Sequence, residues 1–132
     1  KIGEEGPEVE AVPAHYCHSS GNFSLYDPTA GILFSGDIGS ALVPNHEASL
    51  VVTDFDQHIQ YMRGFHLRWM PSTTALRGWV QRVRAIKPKM ICPQHGSIFQ
   101  GEHVGKLLDW LESLEVGQWK GSTPKSDTRA AA

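Results

Sequence analysis

Pro88 separates a clear helical pattern from a short strand pattern, and this junction constrains the fold more than any other feature. Leu76, Trp79, Val80, Val83 and Ile86 recur at helical spacing, so Pro71-Ser72-Thr73 opens a helix and Pro88 ends it. Met90 to Cys92 follows at once as a short buried strand. Beyond Gly101 a second stripe of Val104, Leu107, Leu108, Leu111 and Leu114 predicts another helix, with Gly117 as its stop. A chain that passes from helix to strand to helix lays helices on a sheet. The fold class is therefore α/β, with helices covering one face of a sheet.

The sheet needs more strands than Met90–Cys92. Glu10 to Pro13, Asn22 to Tyr26 and Ile32 to Ser35 supply three candidates. Asp27-Pro28-Thr29-Ala30-Gly31 joins the last two as a turn, so Phe23 to Phe34 reads as a β-hairpin. Gly36 to His46 has no period and reads as a loop. Thr53 and Asp56, three apart, form a capping-box pattern for a helix carrying Phe55, Ile59 and Met62. The domain then runs from residue 9 to 118. Residues 1–8 are expected to be a mobile end, and 119–132, without apolar period, a disordered tail. Four short strands make a thin sheet.

At 132 residues there is room for one domain. No run of about 18 apolar residues exists, which excludes a membrane-spanning helix. A net charge of −2 disfavours a nucleic-acid partner. Only Cys17 and Cys92 are present, no disulfide framework, so a reducing, cytoplasmic setting is expected. They are expected to pack as small apolar groups, with zinc binding the lesser alternative. Between Gln57 and Gly101 there is no acidic residue, while Arg63, Arg68, Arg77, Arg82, Arg84, Lys87 and Lys89 fall there. These are solvated helix faces or, alternatively, a basic face for an acidic partner.

Seven histidines are many for this length. His18, Asp37 and His95 each lie just beyond a predicted strand, where loops of α/β sheets converge on one crevice. Two imidazoles and a carboxylate suit a hard-to-borderline metal, and a carboxylate can bridge two metals. Gly36 and Gly96 beside them would let the backbone approach the metals. Taken singly, each residue also reads as an ordinary surface histidine or turn aspartate. His46, His58 and His103 read as loop or helix-surface residues.

The run from Pro13 through His18-Ser19-Ser20-Gly21-Asn22-Phe23 to Asp27 resembles one block of the metallo-β-lactamase-fold diiron proteins. Ile32-Leu33-Phe34-Ser35-Gly36-Asp37, Arg63-Gly64-Phe65-His66-Leu67-Arg68-Trp69-Met70 and Pro93-Gln94-His95-Gly96 resemble three more, in the family's order. The similarity is greatest to the oxygen-binding diiron and flavodiiron proteins. It implies His18 on one iron, His95 on the other and Asp37 bridging both. His15, three residues before His18, reads as a group supporting the site or as an alternate ligand. His66 reads either as a plain helix-end residue or as a residue that supports or lines the pocket, since the resemblance implies that its block loops near the mouth of the site. The family's fold is an αββα sandwich, and its other half carries a His-x-Glu-x-Asp-His motif that this sequence lacks. The resemblance therefore implies the C-terminal half of a metallo-β-lactamase-like sandwich only, one piece of a split or longer molecule.

On that reading the chain is part of a non-haem diiron domain that binds or reduces dioxygen or nitric oxide. Electrons come from an external flavin or a rubredoxin-type protein, with no flavin in this chain. A zinc-dependent hydrolase on the same fold and an oxygen sensor without turnover are the alternatives. One shared carboxylate and one imidazole per metal fall short of the three-ligand face that non-haem iron needs, so the piece alone is expected to be inactive. Its sheet would lack a covering layer and expose several hundred Å² of apolar face, a loss on the order of 10 kcal/mol. A complementary half or a homodimer is expected to cover it.

Overall fold

A computed structural model describes residues 4–6 and 8–118. The tail expected over 119–132 lies outside the described residues, as do residues 1–3 and 7 of the expected mobile end. The elements are strands β1 (Glu10–Pro13), β2 (Phe23–Asp27) and β3 (Ile32–Gly36), helices α1 (Phe55–Trp69) and α2 (Thr73–Ile86), strands β4 (Met90–Pro93) and β5 (Phe99–Gln100), and helix α3 (Glu102–Ser113). A single turn of 3-10 helix, Asn45–Glu47, interrupts the loop before α1. The sheet is ordered β1-β2-β3-β4-β5. Neighbours are antiparallel except β3 and β4, which are parallel and are joined by the long crossover through α1 and α2.

The strand-turn-strand unit forms where Asp27 and Gly31 predict it. The Asp27 carboxylate accepts from the backbone N–H groups of Thr29 and Ala30, and Gly31 takes φ +72°. The strand β5 escapes the sequence pattern because it has two residues and pairs only with β4. Helix α1 starts one residue later than the Thr53 box implies: Asp54 is the N-cap, accepting from Gln57 N at 3.0 Å. Ser72 caps α2 in the same way on Ala75 N, and Lys87 ends it in the left-handed region just before Pro88. Gly117 does not stop α3. The helix ends at Ser113, and Leu114 and Val116 stay buried in extended backbone. Gly117 instead lets the backbone press onto Pro71, where a Cβ would lie 2.1 Å from the carbonyl oxygen.

All three helices lie on one face of the sheet. Val12, Leu33, Ile91 and Phe99 point into that layer, against Trp79, Val80, Val83, Leu107 and Leu111. Trp79 donates from Nε1 to Ser24 Oγ at 2.9 Å, which seats α2 beneath β2. The opposite face is bare, as the sequence leads one to expect. Phe23, Leu25 and Phe34 are 48, 48 and 49% exposed and line a shallow apolar trough of about 580 Å³. This arrangement, one face of the sheet covered by helices and the other bare, is the half of an αββα sandwich that the resemblance implies. No helix of the described residues is long and apolar enough to cross a membrane.

The acid-free stretch makes no uninterrupted basic face. Arg77 pairs with Glu115 at 2.6 Å, and Arg84 with Asp109 and Glu112 at 2.6 and 3.0 Å, all carboxylates on or just after α3. Charge segregated along the chain is thus offset across the α2–α3 surface. These exposed pairs add little stability.

Candidate metal centre

The sheet topology brings His18, Asp37 and His95 to one edge. β3 and β4 run parallel, so the Asp37 turn and the His95 bend leave the sheet on the same side. Phe23 begins β2 opposite the end of β1, so the loop Ala14–Asn22, which carries His18, sits at that edge too. Backbone hydrogen bonds tie the loops together. Gln94 N donates to Gly36 O at 2.8 Å, and Ala41 N to His95 O at 3.2 Å. The Asp37 turn is closed by Ser40 N on Asp37 O at 3.1 Å and by Ser35 Oγ on Ile38 O at 2.6 Å. The His18 loop turns on Tyr16 at φ +60°, with Asn22 Nδ2 donating to Cys17 O.

The side chains differ in setting. Asp37 and His18 are half-buried and His95 is exposed. The ring of His18 stacks on Trp69, with centroids 5.2 Å apart and planes 10° from parallel. His15 is exposed and meets Phe23 edge-on at 4.9 Å. Gly96 has φ +92° and presses against Ala41, where a Cβ would come within 2.9 Å of the Ala41 Cβ. Gly36, at φ +65°, ends β3. Both glycines hold left-handed turns, and at Gly96 the close contact with Ala41 also leaves no room for a side chain.

His66 takes the helix-end position that its sequence offered, not the loop that the resemblance implied. The Arg63–Met70 block is not a loop: it forms the last turns of α1 and its C-cap. His66 is fully buried there. Gly39 N donates to its Nε2 at 3.0 Å, and its Nδ1 lies 2.8 Å from Met62 O. A backbone N–H can only donate and a carbonyl can only accept, so the proton sits on Nδ1 and the ring is neutral. Burial pushes its pKa down to about 4, against smaller opposing effects of the Met62 carbonyl and the Asp37 carboxylate. Both nitrogens are committed, so His66 holds the turn that carries Asp37. Trp69, one turn further on, escaped the sequence reading. The i, i+3 spacing of His66 and Trp69 was the available signal.

His58 also departs from expectation. It is buried rather than on the helix surface, and its Nε2 has no hydrogen-bond partner among the described residues. Burial, then the nearby His103, lowers its pKa. Cys17 is buried, and burial raises its thiol to about 11, with Arg82 opposing. Burial also raises the pKa of Cys92. Both thiols are free and pack as small, protonated groups.

Imidazole and carboxylate are the donor types that non-haem iron takes. Among the described residues, however, no three His, Cys, Asp or Glu side chains gather into a metal-holding group.

The sequence profile of the ODP family beta lactamase matches residues 2–96. The apo state of the chemotaxis sensor ODP from T. denticola is 42% identical over 86% of this chain and 47% of that one, with a TM-score of 0.81. A peroxy diiron species of chemotaxis sensor ODP matches at 42% identity over the same shares, with a TM-score of 0.79. The flavodiiron protein from Giardia intestinalis, at 18% identity, is covered over 27% of its length by 85% of this chain, with a TM-score of 0.73. It shares the fold. No curated protein sequence matches. The chain thus spans about half the length of the ODP structures it resembles. With the profile covering well over half of its residues and this identity to ODP beside it, the chain belongs to the ODP family of beta lactamases.

Proposed function

We propose that this chain is the C-terminal half of a diiron domain that binds dioxygen as a sensor, with His18, Asp37 and His95 as its share of the ligands. The observation that carries the reading is the 42% identity to a chemotaxis sensor solved as a diiron species. The gathering of the three loops at one sheet edge supports it. His18 and His95 would each hold one iron, and Asp37 would serve both. The remaining ligands come from an N-terminal half with a His-x-Glu-x-Asp-His motif, packed on the bare face around Phe23, Leu25 and Phe34. When bound, the irons supply a reversible seat for a diatomic gas. The chain's own residues orient the donors, and the half-buried setting of Asp37 and His18 limits water around them. The two free thiols favour a reducing, cytoplasmic setting. Turnover, as opposed to sensing, would require an external flavin or rubredoxin-type donor.

The test is metal analysis and an optical spectrum of the full-length protein, with and without oxygen. Iron with near-ultraviolet charge-transfer bands that change on oxygen addition supports the proposal. A colourless zinc protein overturns it in favour of hydrolysis. Within an iron protein, Asp37→Ala should empty both positions and His18→Ala mainly one. Equal partial loss in the two variants contradicts the bridge.

A further inference from the structure

Helix α1 touches two of the three ligand loops within a single turn. His66 accepts from Gly39 N, two residues past Asp37, and is itself fixed by Met62 O one turn back. Trp110 of α3 meets the His66 ring edge-on at 5.2 Å, which fixes its orientation. Trp69, three residues along the same face, lies flat on His18. The Arg68 guanidinium sits 5.2 Å from the Trp69 ring centroid and loads its surface further. His18 and Asp37 belong to different loops, separated by β2 and β3. Through its last turn, α1 joins them by contacts outside the sheet.

We propose that Trp69 and His66 are positioning residues that set the His18 ring and the Asp37 turn, so that the last turn of α1 fixes the geometry of both. This rests on the proposed metal-binding role of His18 and Asp37. Flat stacking hinders rotation of the His18 ring about its Cβ–Cγ bond, which would swing the ring into the Trp69 face. The Gly39 hydrogen bond fixes where the Asp37 turn sits. A shift of either loop would move α1 or break one of these contacts. Trp69 is 44% exposed, so it can be changed without opening the core.

The experiment compares Trp69→Leu and Trp69→Phe in the full-length protein, with His66→Phe and His66→Gln as a second pair. Gln keeps an acceptor for Gly39 N, whereas Phe removes it. Anaerobic iron(II) titration is the first readout. Removal of a group that orients a ligand lowers metal affinity about 10- to 100-fold, so Trp69→Leu and His66→Phe should each weaken binding by that factor. Trp69→Phe and His66→Gln should recover most of it. The second readout needs no metal: the His18 ring protons of the apo protein, shielded by Trp69, should move downfield in Trp69→Leu and stay shielded in Trp69→Phe. Wild-type iron affinity in Trp69→Leu, or unshielded His18 protons in the wild type, overturns the proposal. His18→Ala separates the two readings. If it loses iron while Trp69→Leu does not, only the positioning role fails. If His18→Ala binds iron like the wild type, the site assignment fails and the positioning role with it.

Discussion

Phe34→Asp tests whether the bare face of the sheet is an interface. Phe34 lies on β3, the central strand, and is 49% exposed. A phenylalanine presents roughly 200 Å², so about 100 Å² remain to be covered by a partner layer. At about 25 cal/mol per Å² that area contributes roughly 2.5 kcal/mol. An unpaired carboxylate in a covered apolar face costs several kcal/mol more, so the full-length protein should lose at least about 5 kcal/mol. In the 132-residue chain alone the same position faces water. There the change should cost less than about 0.5 kcal/mol and should reduce self-association through the trough. Denaturant unfolding of the full-length protein and sedimentation of the chain alone measure the two effects. A loss under about 1 kcal/mol in the full-length protein would refute the idea that a partner layer covers this face.

Three further outcomes follow from the core and its buried groups. The pKa of His66 is about 4 in the folded chain against an ordinary 6.5, so the unfolded chain binds more protons between those values. Its contribution to stability is therefore full above pH 6.5 and declines as pH falls towards 4, by on the order of 3 kcal/mol. Urea melts across this window should show a shallower pH slope in His66→Gln, and an unchanged slope would contradict the burial. Leu33→Ala removes a fully buried side chain from β3 and should cost about 2–5 kcal/mol in chemical denaturation. Gly117→Ala puts a Cβ 2.1 Å from the Pro71 carbonyl oxygen at φ +72°. A loss of at least about 2 kcal/mol is expected, and a neutral melt would show that this close approach is not formed.

The local order of the chain was legible in the sequence. The stripe Leu76–Ile86 with Pro88 behind it, and Asp27 and Gly31 around their turn, act within a few residues. Their chemistry sets the backbone wherever the segment ends up. The bare apolar face of the sheet was expected from the family resemblance, which leaves the sheet without its covering layer. The strand positions of His18, Asp37 and His95 followed from the same local signals, and the family resemblance gave them a shared role. Other features depend on partners distant in sequence. β5 exists only through pairing with β4. Arg77 and Arg84 look unpaired until α3 folds back beside α2. His58 and His66 are both buried on one helix, and the hydrogen-bond partners that tertiary packing supplies decide what each does. His66 becomes a neutral hydrogen-bonded strut because the turn at Gly39 and the α3 residue Trp110 close over it. The stacking of Trp69 on His18 joins residues 51 positions apart, and no periodicity of either segment encodes it. Only the packing of α1 across the sheet edge brings those rings together.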